Sequence, residues 1–526
     1  MSNTEADYVV VGTGSAGAVI AARLSEQSGT SVIALEAGGE DKSQNIHIPA
    51  AFSKQFQTEL DWNYLTEPQP NLGDRRIFYP RGKTLGGSSS MNAMMWVRGY
   101  AADYDEWARL AGDGWGFADA VKYFQRIENV EGASEDGEGR SGPLNVSKQR
   151  SPRTWTEDFL ESAEHAGFKR ERANLPQPEG FTQTMVNQRD GSRCSTAVAY
   201  LKPARSRSNL TILTGAQATR VLLEGTRAVG VEYLSDGVKR TVRARKEVIL
   251  SGGAINTPQL LMLSGIGDEA QLREHGIGVV HHLPEVGQNL SDHLVSLIGF
   301  AVDGGTLFDA EKPLELVNYL TRKRGMLTSN VGEAYGFIRS RPDLELPDIE
   351  IIFGPAPFFD EGIGEATGNA IGLGPILVDP RSRGTVSLKS ADPTAKALVD
   401  PMYLSDPDGV DREAMLSGLR AAYSIASAQP LAGKIGRFMQ PKRELPTIEE
   451  TLEDALTWYS HTLYHPTGTC RMGLDDASVV APDLTVRGID GLRVADASVM
   501  PKIIRGHTHA PSVFIGEKAA DLIKGL

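Results

Sequence analysis

Hydrophobic positions near the start of the chain fall into two short unbroken runs. Residues 7–11, DYVVV, and residues 31–36, SVIALE, lack polar alternation, the pattern of strands buried on both faces. Between them GTGSAG leads into AVIAARLSEQ, whose apolar positions recur at helical spacing. Strand, glycine turn, helix and strand in succession predict a βαβ unit and hence a parallel sheet. Further on, NLTILTGAQATRVLLEG (209–225), GVEYL and RTVRARKEVILSGG read as successive strands with Gly/Asp turns. NTPQLLMLSGIG (256–267) predicts a short helix with Pro258 in its first turn and Gly265 beyond its end. IEIIFG and RGTVSLKS read as strands, 411–428 as a long helix, and SVFIGEKAADLI as a final helix with Pro511 in its first turn. There is no internal repeat and no Pro/Gly/Ser-rich linker. The pattern predicts an α/β protein in which one nucleotide-binding domain is assembled from several segments and a second domain is inserted between them.

The length, 526 residues, calls for two or more compact units, and 40% hydrophobic residues suffice for large cores. Net charge is −13, no Lys/Arg run or basic helix stands out, and neither nucleic acid nor an anionic membrane surface is an expected partner. The opening MSNTEADYVVVG has no basic n-region or apolar h-region, so no signal peptide is expected. The longest apolar stretches fall short of the ~20 residues of a membrane span. Two cysteines, Cys194 and Cys470, with no CxxC, fit a reducing cytoplasm.

Gly12, Gly14 and Gly17 form G-x-G-x-x-G directly after a strand, and Glu36 ends the next one. Gly12 allows the tight turn, Gly14 lets backbone approach a pyrophosphate, and Gly17 lets helix and strand pack closely. Glu36 would accept from ribose hydroxyls and repel a 2′-phosphate, which disfavours NADP. The fingerprint alone does not separate NAD from FAD. A second glycine-rich stretch, GKTLGGSSSMNAMMWVRG (82–99), has nothing bulkier than a hydroxymethyl from Gly86 to Ser90, so a flat ligand can lie against its backbone. Two more motifs, GAINTPQLLMLSGIG (253–267) and YHPTGTCRMG (464–473), precede VADASVMP and the closing RGHTHAPSVF.

Together with VGQNLSDH (286–293), these motifs resemble, in order and over nearly the whole chain, the glucose–methanol–choline (GMC) oxidoreductase family. The bacterial choline-dehydrogenase and alcohol-dehydrogenase branch is the most similar, including LDWNYLTEPQ and GMLTSNVGEA. The resemblance implies a Rossmann-like FAD-binding domain from 1–50, 75–150, 205–300 and 460–526. It implies a substrate-binding domain with a mixed or antiparallel sheet and flanking helices from 51–74, 151–204 and 301–459. The implied cofactor is FAD, held at Gly12, Gly14, Ser15, Gly17, Glu36 and Ala37, at Trp62, Arg81 and Gly86, and at Asn92, Ala93, Met94 and Met95. Ala218, Ser251, Tyr464, Asp496, Ala497, His507, Thr508 and Pro511 complete that set. Some members attach flavin through a histidine just before the asparagine; here that position is Met91, so the FAD is expected to be non-covalent.

Two of the ten histidines lie in RGHTHAPSVF. As residues alone they are open to three readings: a metal site, an acid/base site, or a packed turn. A metal needs at least three ligands, and no carboxylate or Cys cluster joins them, so no metal is expected. The resemblance places His465 and His509 together on the reactive face of the flavin. His465 is then the candidate base for the hydroxyl proton, and His509 the group that holds the same oxygen. The implied reaction is oxidation of a primary alcohol to an aldehyde, with hydride passing to flavin N5 and electrons on to dioxygen or a quinone. Trp62, Glu333 and Tyr464 match positions around a trimethylammonium head in choline-oxidising relatives, which keeps choline as an alternative. A flavin-containing lyase on the same fold is a third. His281 and His282 are expected to be exposed or packed, and His293 to brace its loop. A monomer or homodimer is expected.

Overall fold

The computed structural model describes residues 4–443 and 445–526; residues 1–3 of the opening stretch therefore lie outside the described residues. Glu5–Val11 pairs in parallel with Val32–Leu35 on one side and with Val238–Leu250 on the other, and Leu210–Leu213 extends the sheet beyond Val32–Leu35. Antiparallel strands Arg227–Ser235 and Gln217–Glu224 continue it past Val238–Leu250. The end of that long strand, Val248–Leu250, also takes Leu492–Val494 in parallel, closing a seven-stranded sheet. Both faces are covered, which is why the inner strands read as unbroken aliphatic runs. Burial of each such side chain contributes about 1.5–3 kcal/mol. Gly17–Leu24 packs against the C-terminal helix His509–Lys524 so closely that a Cβ on Gly516 would lie 2.7 Å from the Ala16 carbonyl oxygen.

The second sheet has eight strands. Its main order is Phe438–Gln440, Ile298–Ala301, Ala370–Leu377, Ile349–Gly354, Ala334–Ile338 and Phe181–Gln183, all antiparallel, with Leu294–Ser296 and Ser460–Thr462 joining beside Ala370–Leu377. Helices Thr154–His165 and Val410–Ala426 pack on one face, where Ile349, Ile351 and Phe353 enter the core. The two-residue period of a strand turns Glu350 and Ile352 to the opposite face, toward the first domain.

Three expectations are corrected. Cys194–Ala204 packs into the first core and Leu294–Ala301 into the second sheet, so 151–204 and 205–300 do not divide as expected. The helix expected from residue 256 begins at Gly253, which puts Pro258 in its interior. Proline leaves the carbonyl four residues back without its helical donor. Here that is Ala254, and the Thr469 hydroxyl donates to it at 2.7 Å.

Candidate active site

The glycine turn, the stretch Leu250–Leu263 and the Asp496–Ala497 turn enclose a cleft at the carboxyl ends of the parallel strands. Gly12 has φ +90°, and a Cβ there would sit 2.4 Å from the Ser251 oxygen; at Gly17 it would lie 2.0 Å from the Gly12 oxygen. Packing therefore demands both glycines. Gly14 differs: it lines the cleft, yet an added Cβ would meet nothing nearer than Gly87 Cα at 3.9 Å. Its missing side chain leaves room for a ligand and not for protein. Glu36 faces the same cleft, with Oε2 accepting from Thr13 N–H (3.1 Å) and Oγ1–H (2.6 Å) and Oε1 from Gly38 N–H (2.9 Å). Asp496 accepts from Gly253 N–H (2.8 Å), the Thr257 hydroxyl (2.7 Å) and Ser498 N–H (2.8 Å). Burial pushes both carboxyls upward. The starts of the helices at Gly17, Gly253 and His509 converge here, an arrangement that favours anionic groups. Ser15, Ala37, Arg81, Ala218, Ser251 and Ala497 line the cleft. These residues fit a dinucleotide.

A second cavity adjoins the first and shares Ser15, Arg81, Ser88 and Ala497 with it. Phe52, Phe56, Met91, Val331 and Phe358 form its apolar wall, with Asn92, Ala93, Met94, Met95, Tyr464 and Thr508 alongside. His465 and His507 enter it with ring centroids 4.9 Å apart, nearly perpendicular at 80°. His507 Nε2 lies 2.9 Å from Glu350 Oε1, so the inward-turned carboxylate of the second sheet orients that ring. The segment carrying His507 is pinned by Arg505. Its amide donates to Asp103 Oδ2 at 2.7 Å, and its buried guanidinium pairs with Asp103 and Asp379.

His465 is held from behind. Its Nδ1 lies 2.9 Å from Nδ1 of His293, and its amide donates to Asp292 Oδ1 at 2.8 Å. Asp292 Oδ2 accepts from the Tyr79 (2.7 Å), Thr462 (2.6 Å) and Tyr403 hydroxyls, so one carboxylate ties four segments behind the histidine. Burial, with His507, His293 and Arg81 adding to it, holds the His465 imidazole well below its usual value. Burial likewise lowers His293 to about 3.

The expected partner of His465 was His509; the ring in contact with His465 is His507, while His509 lines the same cavity without touching it. His509 is the first residue of the C-terminal helix, where side chains point back toward the helix start. Its Nδ1 meets Ser15 Oγ at 3.0 Å and its ring lies edge-on to Trp96. Burial, with the nearby Arg193 charge, brings His509 to about 3. Two of the expected substrate contacts lie outside this cavity. Glu333 is fully buried behind the cavity wall, accepting from Ser329 (2.6 Å), Thr156 (2.5 Å) and the Arg153 amide (2.7 Å). Trp62 lines the dinucleotide cleft, stacked near Tyr64 with Lys83 over its ring. Gly86 (φ +86°) and Pro511 shape turns without lining either cavity. His281 and His282 form a short strand beside Ile266–Gly267, remote from both. Glu350, Asp292 and Arg505 were missed in the sequence. Each lay in a stretch singled out for another reason: Glu350 in the strand IEIIFG, Asp292 in VGQNLSDH and Arg505 in RGHTHAPSVF. No group of three His, Cys, Asp or Glu side chains suited to a metal occurs among the described residues.

An uncharacterized GMC-type oxidoreductase of Mycobacterium tuberculosis is 62% identical over 99% of this chain and 100% of its own length. An alcohol dehydrogenase [acceptor] of Pseudomonas putida is 40% identical, covering 98% of this chain and 95% of its own. Among solved structures, pyridoxine 4-oxidase from Mesorbium loti superimposes with a TM-score of 0.89 at 32% identity over 99% of each chain. Family models described as GMC oxidoreductase match residues 6–295 and 380–516. With the cleft, the adjoining cavity and these matches together, the chain belongs to the GMC oxidoreductase family.

Proposed function

We propose that the protein oxidises an uncharged primary alcohol to its aldehyde with non-covalent FAD held in the glycine-turn cleft, the electrons passing on to dioxygen or a quinone. GMC oxidoreductases are FAD-dependent, and bound FAD supplies a hydride acceptor. The observation that carries the reading is the convergence of His465 and His507 in a cavity that shares walls with that cleft. Loss of hydride from the carbinol carbon is slow unless a base takes the hydroxyl proton, and a neutral imidazole suits that step. His293 presents Nδ1 to Nδ1 of His465, so one of the two nitrogens carries the proton between them. With it on His465, His293 Nδ1 accepts from that Nδ1–H. His465 Nε2 is then left with its lone pair toward the cavity. His465 takes the proton, and His507, oriented by Glu350, holds the same oxygen as charge develops on it.

The His507–Glu350 contact favours a second assignment, because a carboxylate behind an imidazole is also how a general base is oriented. Substrate charge follows from the lining. No carboxylate lines the cavity among the described residues, and its wall is aromatic and aliphatic, which favours a neutral alcohol over choline. Met91 offers no nitrogen for a covalent link. The test is anaerobic mixing of the yellow protein with a panel of alcohols. Bleaching by a neutral alcohol, lost on the order of 10²–10⁴-fold in His465→Ala and less in His507→Ala, supports the assignment. The reverse order of losses makes His507 the base. No bleaching by any alcohol rejects the function.

A further inference from the structure

Among the described residues, large apolar side chains that face solvent concentrate on one short helix, Pro313–Arg322. Leu314 is 68% exposed, Val317 53% and Leu320 58%, with Leu316 and the preceding Phe308 also outward. At 100° per residue these helical positions share one side, and no charged residue interrupts them. The opposite side holds the helix to the protein. Tyr319 is its one buried residue and bonds Ser192 Oγ at 2.8 Å, while Glu315 accepts from the Met326 amide at 2.6 Å. The helix is thus amphipathic with its apolar side turned outward.

Charge separates along it. At its start Lys312 pairs with Asp309 and Lys54 with Glu311. At its end stand Arg322, Lys323 and Arg324, none paired with a carboxylate among the described residues; Lys323 lies over the Tyr319 ring and Arg324 donates to the Arg150 carbonyl. The run Arg322–Arg324, at and beyond the helix end, is a local exception to the expectation that no Lys/Arg run stands out. The flanking segments reach the cavity: Leu307 and Ala310 before the helix, and Met326 and Leu327 after it, pack with Ala356 and Val331, which line that cavity.

We propose that Pro313–Arg322 docks the protein on an anionic phospholipid surface, its leucines and valine in the interface and Arg322–Arg324 on the headgroups. An outward aliphatic face beside an unpaired basic cluster is the chemistry of such a surface. A second copy of this chain docked through the same face would instead bring its own Arg322, Lys323 and Arg324 against these three cations. Docking of this kind turns the cavity rim toward the bilayer; delivery of an apolar alcohol from there rests on the function proposed above, while docking itself does not.

The test is flotation of the holoenzyme with phosphatidylcholine–phosphatidylglycerol vesicles, with pure phosphatidylcholine vesicles alongside. The protein is expected to float with the anionic vesicles and to be released by salt. Leu314→Ser/Val317→Ser/Leu320→Ser should stay at the bottom with unchanged turnover of a water-soluble alcohol. Arg322→Gln/Lys323→Gln/Arg324→Gln should weaken binding about fivefold per charge, on the order of 100-fold in all. Three results overturn the proposal: no flotation with anionic vesicles, equal flotation of the triple-serine variant, or a dimer that this variant converts to monomer. Failure of flotation leaves flavin bleaching untouched, so the two readings fail separately.

Discussion

Nδ1 of His465 stands 2.9 Å from Nδ1 of His293, two ring nitrogens of which only one can carry the shared proton. The pair therefore decides which nitrogen of His465 meets the cavity with a lone pair. His293→Asn keeps an acceptor near that position and His293→Leu removes it. The leucine variant is expected to lose on the order of 10–100-fold in the rate of flavin bleaching, and asparagine to recover most of that. Equal losses in both variants would show that His293 only fills space.

Gly12 and Gly14 should separate fold from cofactor. Gly12→Ala places a Cβ 2.4 Å from the Ser251 oxygen at φ +90°, so it should lower the melting temperature of the cofactor-free chain. Gly14→Ala, with 3.9 Å of clearance, should leave that melting temperature nearly unchanged, within about 0.5 kcal/mol. Its dissociation constant for FAD should rise at least about tenfold, since even a small misfit at a pyrophosphate costs more than 1.4 kcal/mol. Calorimetry of apo-protein and FAD titration read the two effects independently.

Acid stability has a definite sign. Burial holds His461 at about 4 and His293 and His509 at about 3. In the unfolded chain each titrates near ~6.5, so below that pH the unfolded state binds protons the folded state refuses. Stability is present in full above ~6.5 and is lost as pH falls. By about pH 5 each histidine costs about 2 kcal/mol, and the three about 6, a large share of the ~5–15 kcal/mol of an ordinary protein. Denaturant midpoints should therefore drop steeply between about pH 7 and 5, and less steeply in His461→Gln. A flat profile would contradict the burial argument.

Tetramethylammonium should not compete with the alcohol at millimolar concentration, because Glu333 is buried behind the wall, bound to Ser329 and Thr156, and no carboxylate lines the cavity among the described residues. Inhibition at that level would restore the choline reading. Acid precipitation should leave yellow supernatant and a colourless pellet, since Met91 replaces the histidine that carries a covalent flavin.

What could be read in the sequence depended on distance along the chain. The strands at Glu5–Val11 and Val32–Leu35 and the glycine turn are local, and their pattern states their burial directly. His465 was legible through its motif. Which of His507 and His509 lies against it was not legible, because they differ by two residues and their contacts are set by Glu350, more than 150 residues away, and by the helix start that turns His509 toward Ser15. Glu350 itself sits in an apolar strand where nothing local distinguishes a functional carboxylate from an edge residue. Pro258 was misplaced for a similar reason: the hydroxyl that lets it lie inside a helix comes from Thr469.

The pairing of Val248–Leu250 with Leu492–Val494 bears on how the chain is made. A ribosome releases the N-terminal strands long before their last neighbour emerges, so the nascent sheet waits with an open parallel edge. Only when the final strand arrives does that edge close, and the same late stretch brings His507 and the helix at His509. This late stretch thus seals the sheet and brings His507 to the cavity in one event. Chains interrupted before residue 492 should be aggregation-prone as well as inert.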